Sequence, residues 1–500
     1  MSKNDIILRN PKQGALVKAT QQSQTFLTLL QQSDERRLIE LLKSIDFKSA
    51  IGLISSLEHI EWTAEFIEKY AEYWDWERLS WNKALPWSIE LIERFEERWD
   101  WQRGLSENEG LPWSIELIER FEARWGWGEY GLSSNEALPW SMELIERFKG
   151  HWDWKELSSN KSLPWSIELI ERFVERWDWW ELSQNKALPW SMELIERFEA
   201  RWDWWELSGN KALPWSMELI ERFEERWVWW RLSGNEALPW SMELIERFEA
   251  LPWSMELIER FEARWDWWML SKNEALPWSM ELIERFVERW DWLKLSGNKA
   301  LPWSIELIER FEESWNFKLL SSNEGLPWSM ELIERFEDSW IYDYYIIIEE
   351  YYGLSIKEHY GLSINEALPW SMELIECFED RWDWWELSGN KALPWSMELV
   401  ERFEERCNFR ALSMNQAIPW SMELIERFEE RWNWAWDLVW GEGLSRNKAL
   451  PWSIDLLDKF KHKWDWQRLA CNEKVQQIFT ALSVQGIEEV MDYHIENENL

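Results

Sequence analysis

Apolar side chains recur along most of this chain in a helical rather than an alternating rhythm. In the copy LPWSMELIERFEARWDWWELSGNKA, Leu188 to Ala212, the residues Trp190, Leu194, Ile195, Phe198 and Trp202 fall at i, i+4, i+5, i+8 and i+12. That spacing draws one apolar stripe and predicts a helix, helix A, from about Ser191 to Trp202. Ser191 is placed to cap it by accepting a backbone N–H, Trp190 to staple its entry against Ile195, and Pro189 to fix the incoming chain. Leu188, preceding a proline, is expected to be extended. Glu193 lies one turn before Arg197, the order that favours a surface ion pair. A shorter helix B follows, because Asp203 with Glu206 three residues on resembles a capping box, and it should end near Gly209 and Asn210.

This unit is tandemly repeated. Prolines stand 25 residues apart at Pro139, Pro164, Pro189, Pro214 and Pro239, and again at Pro252, Pro277, Pro302 and Pro327. A degenerate first copy begins at Ile60, where Trp62, Phe66, Ile67, Tyr70, Trp74, Trp76, Leu79 and Asn82 keep the pattern while Glu61 replaces the proline. The expected fold is all-α, an α-solenoid of about 25-residue helix-pair repeats with helical caps. Residues 1–59 read as an N-terminal cap, with one helix marked by Leu38, Leu41, Leu42 and Ile45 and another by Ile51, Ile54 and Leu57. Residues 60–472 are the array. Residues 473–500 read as a C-terminal cap, marked by Val475, Ile478, Phe479 and Leu482, with an acidic tail. Separate caps are what an open-ended stack needs for solubility.

Breaks in the period add detail. Lengthened copies place their extra residues between W-x-W and the following L-S, most of all at Asp343–Gly361 and Ala435–Gly443, so that point should be an exposed corner. Conversely, Pro239 and Pro252 are only 13 residues apart and one helix B is missing. A kink or lateral step is expected at the joint Ala250–Leu251. Asn recurs at one point in the copies, including Asn82, Asn108, Asn210, Asn298, Asn390 and Asn472. Two readings stand: a left-handed residue ending helix B, or a buried ladder of side-chain amides bonded to the backbone of adjacent layers.

From about Ile60 to Asn472 the units resemble those of tryptophan-rich tandem-repeat proteins built on W-x-W-x-x-L-S-x-N. The resemblance implies an array of helical units and brings no known activity, substrate or catalytic residue. Ile341 to Tyr344 and Cys407 to Phe409 depart from the motif.

Composition narrows the function classes. The 50 tryptophans supply ample aromatic area for stacked layers. In the reference copy Glu193, Glu196, Glu199, Asp203 and Glu206 outnumber Arg197, Arg201 and Lys211 by five to three, so each copy adds about -2 to a formal net charge of -39. Such a surface repels phosphate backbones, excludes nucleic acid as the expected partner and favours cationic or neutral ones. Cys377, Cys407 and Cys471 each replace another residue of the repeat, and no disulfide or metal framework is visible. The first residues lack the apolar run of a signal peptide and no stretch approaches 18 apolar residues, so a cytoplasmic or otherwise intracellular protein without a membrane partner is expected.

Catalysis needs unlike groups converging on a point, whereas this chain presents the same Glu and Arg set copy after copy. His59, His151, His359, His462 and His494 show no metal or triad spacing, and acid pairs such as Glu193 and Glu196 read as a solvated helix face. The expectation is a protein without catalytic residues, metal or cofactor. The residue after W-x-W carries the functional promise: it is Trp180, Trp205, Trp230, Trp268 and Trp385, but Glu77, Gln102, Lys155, Leu293, Lys318 or Gln467 in other copies. Tolerance of charge marks a wet position. Five exposed indoles beside acids, spaced by layers about 10 Å apart, could seat an extended peptide, hold a cation or stack on sugars. The leading reading is a non-enzymatic scaffold that binds a protein or extended peptide along one face. The alternatives are a carbohydrate or quaternary-ammonium binding array and a structural spacer without a ligand. The insertion corner begins at this same residue, so the inserts should project from the tryptophan side.

Overall fold

The computed structural model describes residues 32–239, 253–342, 344–351, 354–434 and 443–497. Two compact units divide the chain. The first comprises Met1–Asp100, Gly110–Pro112 and Trp420–Leu500, and the second Trp101–Glu109 and Trp113–Pro419. Each is built of stacked helix pairs, the layers of an α-solenoid.

One layer shows how the sequence makes the pair. Ser191, extended at φ -151°, ψ 162°, accepts from the Leu194 amide and starts helix A, Met192–Arg197. Helix A is half the expected length. Phe198 leaves helical geometry at φ -115°, ψ 23°, and its carbonyl accepts from both Arg201 (2.8 Å) and Trp202 (3.3 Å) in a turn. The turn swings the Trp202 indole inward, where Nε1 donates to the Ile195 carbonyl at 3.1 Å. A continued helix would have left that buried donor unmatched. Trp190, expected to staple Ile195, packs its ring on Trp202 at 5.0 Å and donates Nε1 to the Asn185 carbonyl. Asp203 then caps helix B, Trp204–Gly209, by accepting from the Glu206 amide at 3.0 Å.

Layers are joined by aromatic and polar contacts. Trp179 of one helix B meets Trp202 of the next layer edge-on at 4.9 Å and 74°, and Phe198 at 5.3 Å. Asn210 is not left-handed but extended, at φ -74°, ψ 114°. Its buried amide donates to the Ser183 carbonyl of the preceding layer at 2.9 Å and accepts from its own Ala212 amide. The amide ladder is therefore the correct reading of the recurring Asn. Ser183 completes it: the hydroxyl, fully buried, donates to Trp179 O at 2.6 Å and accepts from the Asp203 amide of the next layer at 2.9 Å. Arginine pairs mainly across layers, as in Arg197–Glu171 (2.6 Å) and Arg222–Glu196 (2.7 Å), while the expected Glu193–Arg197 pair is looser at 3.7 Å.

The period breaks do not interrupt this bonding. Ala250–Leu251, where a kink was expected, lies outside the described residues, and the layers on either side stack directly on each other. Trp229 meets Phe261 and Trp265 at 5.0 and 4.9 Å, as Trp204 meets Phe223 and Trp227 at 5.1 and 4.9 Å. Ser233 accepts from the Asp266 amide and from Asn273 Nδ2 at 2.9 and 3.0 Å, the regular ladder with 13 extra residues passed over. The long insert brings the departure from helix among the described residues, an antiparallel hairpin of β1 (Tyr344–Tyr351) and β2 (Leu354–Tyr360). Aromatic and β-branched residues dominate YYIIIEEY, which suits a strand. Leu362 N donates to Ile341 O and Ser363 N to Tyr342 O, so the hairpin is spliced in where helix B would begin, and a short 3-10 turn, Leu362–Ile364, replaces that helix. Leu444 N to Asn433 O makes the same splice at the second insert, whose residues 435–442 lie outside the described ones. The layer containing buried Cys407 and Phe409 keeps its ladder through Asn415 and Ser388.

In the first unit the two terminal segments, expected to cover separate ends, pack on each other. Helix Phe47–Ser55 behaves as a helix B, since Asn82 Nδ2 donates to Ser55 O and Leu57 O at 3.1 and 3.0 Å. On its other side Ser56 Oγ reaches the Ala470 carbonyl. Residues 484–497, read as acidic tail, form a 14-residue helix whose Ile487, Val490 and Met491 are buried. Its Glu489 pairs with Arg36 and Lys43, its Asp492 accepts from the Tyr70 hydroxyl, and its His494 ring bonds Leu42 O at 3.0 Å.

Candidate functional site

Helix B exposes its second residue because the first, such as Trp204, is held inward, with Nε1 donating to Glu199 O at 3.2 Å. The sequence-predicted tryptophans occupy that second position in the second unit. Trp180, Trp205, Trp230 and Trp268 are 46, 47, 38 and 40% exposed. They stand in four consecutive layers, since the ladder passes from Ser233 directly to Asn273. Trp385 departs from the expectation. It is only half-exposed and lies beyond the layers of Leu293, Lys318 and the hairpin insert. The insert leaves the stack at the equivalent point, directly after Tyr342, and β2 lies against helix Phe317–Ser322, the helix B of the preceding layer. Tryptophan stripe and hairpin thus share the helix B edge.

The indoles are not evenly separated anchors. Trp205 and Trp230 stack at 5.2 Å between centroids and 21° between planes, forming one aromatic surface. Neighbouring side chains that sequence reasoning had missed complete the edge. The Arg231 guanidinium lies over Trp205 at 5.4 Å and bonds Glu206 at 2.9 Å, and the Lys294 ammonium lies over Trp268 at 4.5 Å. Met269 Cε sits 2.5 Å from where a Cβ on Gly234 would stand, so that glycine makes room for it. These residues occupy the third position of helix B one layer on, and the sequence carried their signal as a fixed offset of 26 from the indole, seen in 205 to 231 and 268 to 294.

Acids fill the third position in the layers of Lys155, Trp180 and Trp205. Burial pushes the carboxyls of Glu156 and Glu181 above the usual range, with Asp153 and Glu129 adding to the effect at Glu156. Glu181 has a side chain only 12% exposed, Lys155 Nζ 3.9 Å away and Gln184 Nε2 donating to it. The edge therefore alternates exposed indoles with partly desolvated carboxylates and a few cations.

No family model, curated protein or solved structure matches this chain. Periodic tryptophan-rich helical repeats define its class. Among the described residues no helix is long and apolar enough to cross a membrane, and no three His, Cys, Asp or Glu side chains are grouped to hold a metal ion.

Proposed function

We propose that the protein is a non-enzymatic scaffold whose helix B edge in the second unit binds an extended polypeptide. The observation that carries this reading is the run of four exposed tryptophans in consecutive layers, two of them stacked, interleaved with acids, Met269 and cations. Exposed indoles combine large contact area with little conformational freedom to lose, which suits them as binding anchors. A mixed edge of this kind favours a polypeptide over a sugar, because Arg231 and Lys294 already cover faces of Trp205 and Trp268 that a pyranose would need. The repeated Glu and Arg of helix A support a structural role for those groups, since pairs such as Arg310–Glu284 tie layer to layer.

The test is selection of linear peptides from a display library on the intact protein and on a variant with Trp180, Trp205, Trp230 and Trp268 all replaced by Ala. Enriched sequences are expected on the wild type and lost on the variant, with helical circular dichroism equal in both. Equal enrichment on both, or an unfolded variant, removes the edge from consideration.

A further inference from the structure

The register along the helix B edge sets up a recurring pair. The second residue of one layer faces the third residue of the next, 26 positions on where the period is regular. Lys155 meets Glu181 at 3.9 Å, Arg231 covers Trp205 at 5.4 Å and Lys294 covers Trp268 at 4.5 Å. In each of these a cation satisfies either an acid or the negative face of an indole. The register departs from this at Trp180, because the position equivalent to Arg231 and Lys294, 26 residues on, holds an acid, Glu206. Among the described residues no ring or cation lies over Trp180, which is 46% exposed. Its neighbours in sequence and register are acids, Glu181 next along the chain and Glu206 at the third position of the next layer, with side chains only 12 and 11% exposed. Glu206 has Arg231 as its partner and Glu181 has Lys155 Nζ at 3.9 Å, and burial still holds the Glu181 carboxyl above its usual range.

We infer that the face of Trp180 is a receptor for a cationic side chain of the bound polypeptide, the place that Arg231 and Lys294 fill from within the chain at the layers of Trp205 and Trp268. The inference rests on the polypeptide-binding reading of this edge and names the chemistry of its specificity. Arginine fits better than lysine, because a planar guanidinium can stack on the indole while its N–H groups reach a carboxylate, as Arg231 does with Trp205 and Glu206. The net charge of -39 adds steering for such a partner without fixing where it docks.

Calorimetric titration with the peptide acetyl-Gly-Arg-Arg-Gly-amide at physiological salt tests the site. Saturable binding is expected to weaken at least tenfold in Trp180→Ala. It should also weaken in Glu206→Arg, which supplies the missing cation from the chain itself. Trp385→Ala, whose partner position holds Ala411, should bind like the wild type. Undiminished binding by Trp180→Ala, or equal loss in Trp385→Ala, overturns the inference, and tighter binding of tetramethylammonium than of the peptide overturns its assignment to guanidinium. If Trp180→Ala binds the peptide normally while the four-tryptophan variant still loses its library selection, the edge survives and this site does not.

Discussion

A buried amide left without partners is destabilising, and Asn210 avoids that by bonding Ser183 O in the preceding layer and the Ala212 amide in its own. Replacing it with Ala strands both of those backbone groups. Asn210→Ala should cost about 1–3 kcal/mol in the local stability of its layer, read as faster amide exchange in the helices around 183 and 210 than around 298. Equal protection at both places would show that the ladder contributes nothing. The recurrence of Asn was legible in the sequence, but its conformation was not. A left-handed residue ending a helix and a residue bridging layers leave the same one-letter trace, and only the Ser183 carbonyl one layer away separates them. The role of Ser183 itself was hidden because a serine in a repeat has many ordinary uses. Similarly, the tryptophan stripe could be read from its tolerance of charge, whereas the cations over Trp205 and Trp268 come from the following layer.

At the scale of elements, the caps Ser191 and Asp203 announced where helices begin. The early end of helix A at Arg197 went unannounced, since the apolar stripe continues through Phe198 and Trp202 whether the backbone coils or turns. The hairpin was present in the sequence as the β-branched and aromatic run from Tyr344 to Ile348, obscured by its position inside a helical period. The 13-residue interval is the clearest case of ambiguity. Near-identical copies give no local sign of which half-repeat enters the stack, whereas in the structure helix Trp253–Arg260 does, with Trp265 Nε1 donating to Leu257 O at 3.2 Å. Excising residues 240–252 joins Pro239 to Trp253 and restores a 25-residue period. That deletion should leave the thermal midpoint within about 2 °C of the wild type, because no ladder bond is removed. A fall of about 10 °C would mean that the excised segment contributes to the core.

For the molecule as a whole, stability in a stack of like layers is approximately a sum of layer and interface contributions, so local losses need not unfold the rest. The first unit differs, because its N-terminal helices depend on residues from the far end of the chain through Glu489, Asp492 and His494. Truncation after Asn472 should therefore abolish amide-exchange protection in the helix of residues 32–44 while leaving the layers around 183–298 protected. Retained protection of that helix would show that Leu38, Leu41 and Leu42 find sufficient cover without the C-terminal helix. Nothing local in either terminal segment foretold this meeting, since Arg36 and Glu489 are 453 residues apart. The same separation has a meaning in time. During synthesis the segment around Arg36 must wait for the one around Glu489, roughly 20–90 s at 5–20 residues per second. Throughout that interval Arg36, Leu42 and Lys43 are without Glu489 and His494 as partners, while the repeats between can settle layer by layer as they emerge.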